Sequence, residues 1–246
     1  MNTSEKITYI KNWILDYCKS MPKEAETLVV GISGGIDSSV TSTLCALTGK
    51  KTIVLSMPIN QIKDQHDLSI KHQNWLKSKF RNVESDSIVL DGVFKSFKDL
   101  LHKFNNDHGL ANSRARLRML TLYQVAASNN GIVVGTGNKI EDFGVGFYTK
   151  YGDGGVDISP IADCTKSQVW EIGKDLGLLK EIIEAQPTDG LWDDGRTDLS
   201  QLKMSYKELE DAMKDTSNKN HKKYLEIRKR NLHKMNPIPV CKIKDE

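Results

Sequence analysis

Leu28-Val29-Val30-Gly31-Ile32-Ser33-Gly34-Gly35-Ile36-Asp37-Ser38-Ser39-Val40 is the stretch that decides the fold. An apolar, β-branched run breaks into glycines and hydroxyls, then resumes at helical spacing through Thr41, Leu44, Cys45 and Leu47. Leu28 to Ile32 suits a strand buried on both faces of a parallel sheet. Gly34 and Gly35 let the backbone come close to a ligand, and Ser33, Ser38 and Ser39 add hydroxyls. The helix that follows points its unpaired amides and positive dipole end into the loop, so an anion is the natural guest. A carboxylate at Asp37 would repel a phosphate, and its presence implies a Mg²⁺ ion bridging the two. The stretch lacks both the Lys-Ser/Thr ending of the Walker loop and the spacing of the dinucleotide fingerprint.

Outward from this loop the chain alternates strands and helices. Residues 4 to 20 place Ile7, Ile10, Ile14 and Tyr17 on one stripe of an amphipathic helix that packs on the sheet. Lys51 to Met57 reads as a second strand, with Met57 at its ligand-facing end, and Gln65 to Phe80 as a helix. Ser87 to Leu90 reads as a third strand, Val93 to Phe104 as a helix, Asn112 to Ala127 as another, and Gly131 to Gly135 as a fourth strand. This rhythm implies an α/β protein built on an open, doubly wound parallel sheet with right-handed crossovers. In the helix from Asn112, Leu117, Leu120 and Val125 face the sheet, while Arg114, Arg116 and Arg118 crowd the helix start, where the dipole disfavours cations unless an anion is near.

A chain of 246 residues can bury one core, and we expect a single domain over 1–246, since one core remains workable to roughly 250–300 residues. The 35 basic and 32 acidic side chains leave a net charge of only +3, which commits the protein to no nucleic acid. Cys18, Cys45, Cys164 and Cys241 form no Cys-x-x-Cys pair, which argues against a disulfide framework and fits a reducing cytoplasm. No run approaches the roughly 20 apolar residues of a membrane helix, so a soluble, cytoplasmic protein with no membrane partner is expected.

The fourth strand delivers Thr136-Gly137-Asn138-Lys139-Ile140-Glu141-Asp142 to the same sheet edge as the first loop, where Glu141 or Asp142 can share Mg²⁺ with Asp37. Next come Gly146-Phe147-Tyr148-Thr149-Lys150-Tyr151-Gly152-Asp153-Gly154-Gly155, unusually rich in glycine, aromatic and charge for a connecting loop. Thr165 is a reasonable N-cap that leaves Lys166 at a helix start, an odd place for a lysine unless it meets a phosphate. Tyr206 to Met213 and Lys222 to His233 read as closing helices.

Ser33 to Ser39 resembles the pyrophosphate loop of the N-type ATP pyrophosphatases. Together with Arg116-Leu117-Arg118-Met119, Gly135-Thr136, Glu141 and the Thr149-to-Gly155 segment, it is similar to ammonia-dependent NAD synthetase. The resemblance implies the adenine nucleotide alpha hydrolase-like fold, and a reaction in which ATP adenylates the nicotinate carboxylate of deamido-NAD before ammonia displaces AMP. It implies that Gly31, Ile32, Ser33, Gly34, Gly35, Ile36, Asp37, Ser38, Thr136, Lys166 and Thr188 hold ATP. It assigns Arg116, Lys150, Asp157, His233 and Lys234 to deamido-NAD. The chemistry of that reaction fits Mg²⁺ on Asp37 and Glu141, with Asp37 and Lys166 serving adenylation, and a carboxylate at Asp153 that can attract ammonium and accept its proton, or else ligate a second Mg²⁺ or form the turn. The resemblance also implies a homodimer and a lid opening at Pro187-Thr188-Asp189-Gly190-Leu191-Trp192 and running to Asp198. The ending His233-Lys234-Met235 departs from the family's His-Lys-Arg at its third position.

Other readings stay open on sequence alone. A GMP-synthetase-like ligase would share Ser33 to Ser39 but lack the Lys150-to-Gly155 segment. A tRNA-thiolating enzyme would use the basic helix from Lys219 to Lys234 but want reactive cysteine pairs. A non-catalytic nucleotide-binding regulator would have no use for paired carboxylates at Asp37 and Glu141.

Overall fold

The computed structural model describes residues 1–188, 190–192 and 195–243, Lys63 by its backbone alone. In chain order the elements are α1 (Thr3–Ser20), β1 (Thr27–Gly31), α2 (Ile36–Leu47), β2 (Lys51–Ser56), α3 (Lys63–Lys79), β3 (Val83–Ser87) and α4 (Asp91–Leu100). A 3₁₀ turn (His102–Phe104) leads to α5 (Asp107–Ser128) and β4 (Gly131–Val133), and a π-helical turn spans Lys139–Val145. The chain closes with α6 (Lys166–Asp175), α7 (Lys180–Glu184), α8 (Asp198–Leu202), α9 (Tyr206–Lys214) and α10 (His221–Met235).

Among the described residues the four strands form one parallel sheet in the order β3-β2-β1-β4. Strand faces alternate as the pleat requires. Leu28, Val30, Val54 and Ile132 turn toward the core under α1, α2 and α6, whereas Val29, Ile53, Leu55 and Val133 turn toward Phe94, Met119 and Leu122 of α4 and α5. The chain leaves β1 for β2 on one side and later returns to pair β4 on the other. The strand order therefore switches at β1, and in open sheets a ligand crevice lies outside the carboxyl ends at such a switch. A third cluster, with Ile140, Val145, Leu209 and Tyr224, seats the π-turn against α9 and α10.

Several sequence expectations need correction. The third strand is Val83–Ser87, not Ser87 to Leu90. An edge strand pairs on one side only, so Val-Glu-Ser-Asp-Ser suffices once its backbone docks on β2, and the apolar run after it leads into α4. Helix α5 begins at Asp107, capped by Asn106, whose side chain accepts from the Gly109 amide at 2.7 Å. The three arginines thus sit in its interior, not at its start, and the dipole conflict disappears. Arg114 is buried, and Leu120, expected to face the sheet, is 67% exposed. In α1 the inward stripe is Ile10, Ile14 and Cys18, with Tyr17 exposed, and the helix packs on α2 and α6. All four cysteines are free, and no helix among the described residues is long and apolar enough to cross a membrane.

His72 of α3 is buried against α2, its Nε2 lying 2.9 Å from Ser42 Oγ. Burial pushes its imidazole from 6.5 down to about 4. The unfolded chain therefore takes up a proton near pH 6.5 that the folded chain refuses until about pH 4. Stability should fall across that window by about 1.4 kcal/mol per pH unit, some 3 kcal/mol in all. Urea midpoints at about pH 7.5 and about pH 5 should diverge more for the native chain than for His72→Gln; equal shifts would contradict this.

Candidate active site

The loop after β1 is shaped by its own side chains. Ser38 Oγ lies 3.3 Å from the Ser33 amide, 3.1 Å from Ser33 Oγ and 3.0 Å from the Gly35 carbonyl, to which it donates. Gly34 takes φ +89°, and a Cβ there would come within 2.7 Å of the Gln65 carbonyl, so both conformation and space require glycine. No side chain caps α2, which leaves its first amides open to a ligand. The loop forms one wall of a cavity of ≈ 230 Å³. Of the residues assigned to ATP, Gly31, Ile32, Ser33, Gly35, Ile36, Asp37, Ser38, Thr136, Lys166 and Thr188 all line it, and Gly34 packs behind it.

The turn after β4 supplies the opposite wall. Buried Asn138 caps it, its Oδ1 accepting from the Ile140 and Glu141 amides at 3.0 and 3.1 Å, while its Nδ2 donates to Asp37 Oδ1 at 3.1 Å. The two predicted carboxylates therefore converge. Lys166, only 2% exposed, places Nζ 2.5 Å from Asp37 Oδ2 and 2.9 Å from Glu141 Oε1. Thr165 caps α6 as expected, and the lysine at this helix start meets the two carboxylates while lining the cavity.

Burial raises the Asp37 pKa against the pull of Lys166. Burial also acts upward on Glu141, but the Lys166 charge, with hydrogen bonds from Tyr206, Lys166 and Asn138, brings it below its ordinary value. Burial would lower Lys166, yet the two carboxylates raise it, so the lysine stays charged. Beside them Asp142 is raised by burial and by the charges of Glu141, Asp153 and Asp37. Its carboxyl occupies the space a Cβ at Gly137 would need, 1.9 Å away, so glycine at 137 is what admits it. Two carboxylates meeting at one cation are hard oxygen donors suited to Mg²⁺, which takes its remaining ligands from phosphates and water. Among the described residues no group of three or more His, Cys, Asp or Glu side chains is arranged to hold a metal alone.

Thr188, Gly190 and Leu191 are held over the first cavity from both sides. Gln65 Nε2 donates to Thr188 Oγ1 at 2.8 Å, Arg118 reaches the Met57 and Gly190 carbonyls, and Arg114 donates to the Leu191 carbonyl at 2.5 Å. Asp189, Asp193 and Asp194, part of the expected lid, lie outside the described residues. This holding role of Arg114 and Arg118 is not readable from sequence, because it depends on where α5 meets a segment more than seventy positions away.

A second cavity of ≈ 610 Å³ adjoins the first. Arg116, Lys150, His233 and Lys234, four of the five residues assigned to deamido-NAD, line it, together with His108 and Arg230, which sequence reading did not single out. The fifth, Asp157, does not line it. Its carboxylate accepts from the Val133 amide at 2.7 Å and the Tyr123 hydroxyl at 3.0 Å, tying α5 to the end of β4. Asp153, Phe147 and Leu191 line both cavities, so Asp153 stands where they meet, its Oδ1 accepting from the Thr149 amide at 3.0 Å.

Residues 6–243 match the family model described as NAD synthase. The NH₃-dependent NAD⁺ synthetase of Carboxydothermus hydrogenoformans is 36% identical over 211 residues, 85% of each chain. That of Methanosarcina acetivorans is 37% identical over 213 residues, 83% of this chain and 80% of its own. Among solved structures, NMN synthetase from Francisella tularensis superposes with a TM-score of 0.91 at 32% identity, covering 99% of this chain and 100% of that one. The NH₃-dependent NAD synthetase of Campylobacter jejuni has the same fold, with a TM-score of 0.79 at 24% identity, covering 98% of this chain and all of its own.

Proposed function

The chain belongs to the NAD synthase family, and from that premise we propose that it amidates deamido-NAD with ammonia, using ATP and releasing AMP and pyrophosphate. The observation that carries the proposal is the junction at Asp153 of two cavities, one walled by a phosphate loop and a carboxylate pair, the other lined by cations. An amide cannot form from a carboxylate at neutral pH without a better leaving group than oxide. In the first step a nicotinate oxygen attacks the α-phosphorus, and the bond to pyrophosphate breaks. In the second, the ammonia nitrogen attacks the acyl carbon and AMP leaves with that oxygen.

The loop amides and the Ser33, Ser38 and Thr188 hydroxyls would meet phosphate charge in the first cavity, and Lys166 would complete that wall. Asp37 and Glu141 would hold Mg²⁺, which when bound supplies neutralisation of the developing pyrophosphate charge. Arg116, Lys150, His233 and Lys234 would bind the anionic acceptor, and Asp153 would attract ammonium and take its proton.

A second acceptor is favoured by two observations. The Francisella tularensis protein superposes over nearly the whole chain and is named for NMN synthesis. Met235, standing where the family's ending carries arginine, packs its side chain beside Gly146, which lines the second cavity. One cation fewer suits an acceptor with fewer phosphates. Comparing kcat/KM for deamido-NAD and for nicotinate mononucleotide, each with ATP and ammonium, tests the proposal. Faster turnover of the dinucleotide supports the first reading, faster turnover of the mononucleotide supports the second, and turnover of neither contradicts both.

We also infer a homodimer. Helix α4 packs on α5, and the two leave Val93, Phe97, Leu100, Leu120 and Tyr123 exposed. Apolar exposure on adjoining helices marks an interface. On α5 these residues share a stripe with Arg116, which lines the second cavity. Phe97→Asp should therefore halve the mass seen by light scattering and raise KM for the pyridine substrate by roughly tenfold, the cost of about 1.4 kcal/mol of binding. An active native monomer would count against this.

A further inference from the structure

We propose that Tyr206 is a positioning residue for Glu141 and that Asp198 competes for its hydroxyl, so that the Pro187–Asp198 contact and the carboxylate pair form one hydrogen-bonded chain. The inference rests on the reading of Glu141 as a metal carboxylate.

Tyr206 opens α9 directly after its N-cap, Ser205. Its hydroxyl is within hydrogen-bond reach of Glu141 Oε1 and lies 2.7 Å from Asp198 Oδ2. One hydroxyl hydrogen faces two acceptors, so the bond is shared, and each carboxylate sets how much of it the other receives. The ring is fixed as well. Lys166 Nζ stands 4.6 Å from its centroid, and Trp170 meets it edge-on at 6.0 Å. Buried Glu210 accepts from the Ser167 amide at 2.8 Å and from Ser167 Oγ at 2.9 Å, locking α9 to the start of α6 beside Lys166. Tyr206 and Lys166 both donate to Glu141 Oε1, so a ring fixed by packing adds a second, directional donor to the oxygen that the lysine charge already holds.

Asp198 connects this point to the cleft. Its amide donates to the Pro187 carbonyl at 3.1 Å and so closes the segment at its base, one residue before Thr188 on the wall of the first cavity. The order of coupling is thus segment base, Asp198, Tyr206, Glu141. Partners that orient a metal's carboxylates typically change metal affinity by roughly 10- to 100-fold when removed.

The test is Mn²⁺ binding, measured by electron paramagnetic resonance of the free ion in the presence of α,β-methylene-ATP, with steady-state turnover alongside. Tyr206→Phe should raise the Mn²⁺ Kd by about 10-fold or more, with kcat at saturating metal close to native. Asp198→Asn retains an acceptor and should bind as the native chain does, whereas Asp198→Ala leaves the hydroxyl hydrogen to Glu141 alone and should bind Mn²⁺ at least as tightly as the native chain; weaker binding there would overturn the sharing. The double variant should match Tyr206→Phe, because Asp198 acts on Glu141 only through the tyrosine hydroxyl. Native Mn²⁺ affinity in Tyr206→Phe, where Glu141→Gln has lost it, would overturn the positioning role. Native affinity in Glu141→Gln would instead overturn the metal reading, and the inference with it. Melting temperatures check folding, and if Asp198→Ala does not fold, Tyr206→Phe and Asp198→Asn decide the matter.

Discussion

Asp37→Asn should slow pyrophosphate release by roughly 10³-fold, because the several kcal/mol a metal ion contributes at a phosphoryl centre would lose one of its two carboxylates. The variant should still fold. Lys166 keeps Glu141 at 2.9 Å, so its buried charge does not lose both partners. Removing one member of a buried ion pair costs about 3–5 kcal/mol when nothing replaces it, and here the second carboxylate and the asparagine oxygen limit that loss. Thermal melting within a few degrees of native, together with the fall in pyrophosphate release, is the expected pairing. Release within tenfold of native would remove Asp37 from the metal and phosphate wall.

Asp153→Asn should separate the two half-reactions. The side chain lines both cavities, and its Oδ1 bond to the Thr149 amide can be kept by the asparagine oxygen. Ammonium must lose a proton before its lone pair can attack, and a positioned base contributes roughly 10²- to 10⁴-fold to such a step. The amide cannot accept that proton. We expect NAD formation to fall by roughly 10² or more, pyrophosphate formation with deamido-NAD to persist, and high ammonium to rescue only in part. If adenylation collapses in step with NAD formation, Asp153 belongs to the metal or to the fold.

How much of this was legible in the sequence follows from how local each feature is. The phosphate loop and the Thr149-to-Gly155 segment carry their meaning in consecutive residues, and the structure brings both to the switch point between β1 and β4. Edge strand β3 was misplaced because its polar sequence carries no burial signal, its existence depending on β2. Helix α5 starts at Asp107, ahead of the Asn112 expected, because Asn106 caps it there. Tyr206 and Asp198 are illegible for another reason. Their side chains meet Glu141, 65 positions from Tyr206, only once α9 docks on α6. Asp157 marks the limit from the other side: read from sequence as a ligand residue, it lines neither cavity and accepts from the Val133 amide and the Tyr123 hydroxyl.

The account turns on an acyl-adenylate formed where the two cavities meet, and isotope transfer tests it most directly. Deamido-NAD carrying oxygen-18 in its nicotinate carboxylate should be turned over with ATP and ammonium, and the products examined by mass spectrometry. The account predicts one labelled oxygen in the phosphate of AMP for each NAD formed, with pyrophosphate unlabelled. Labelled inorganic phosphate accompanied by ADP, or NAD formed with unlabelled AMP, would contradict it.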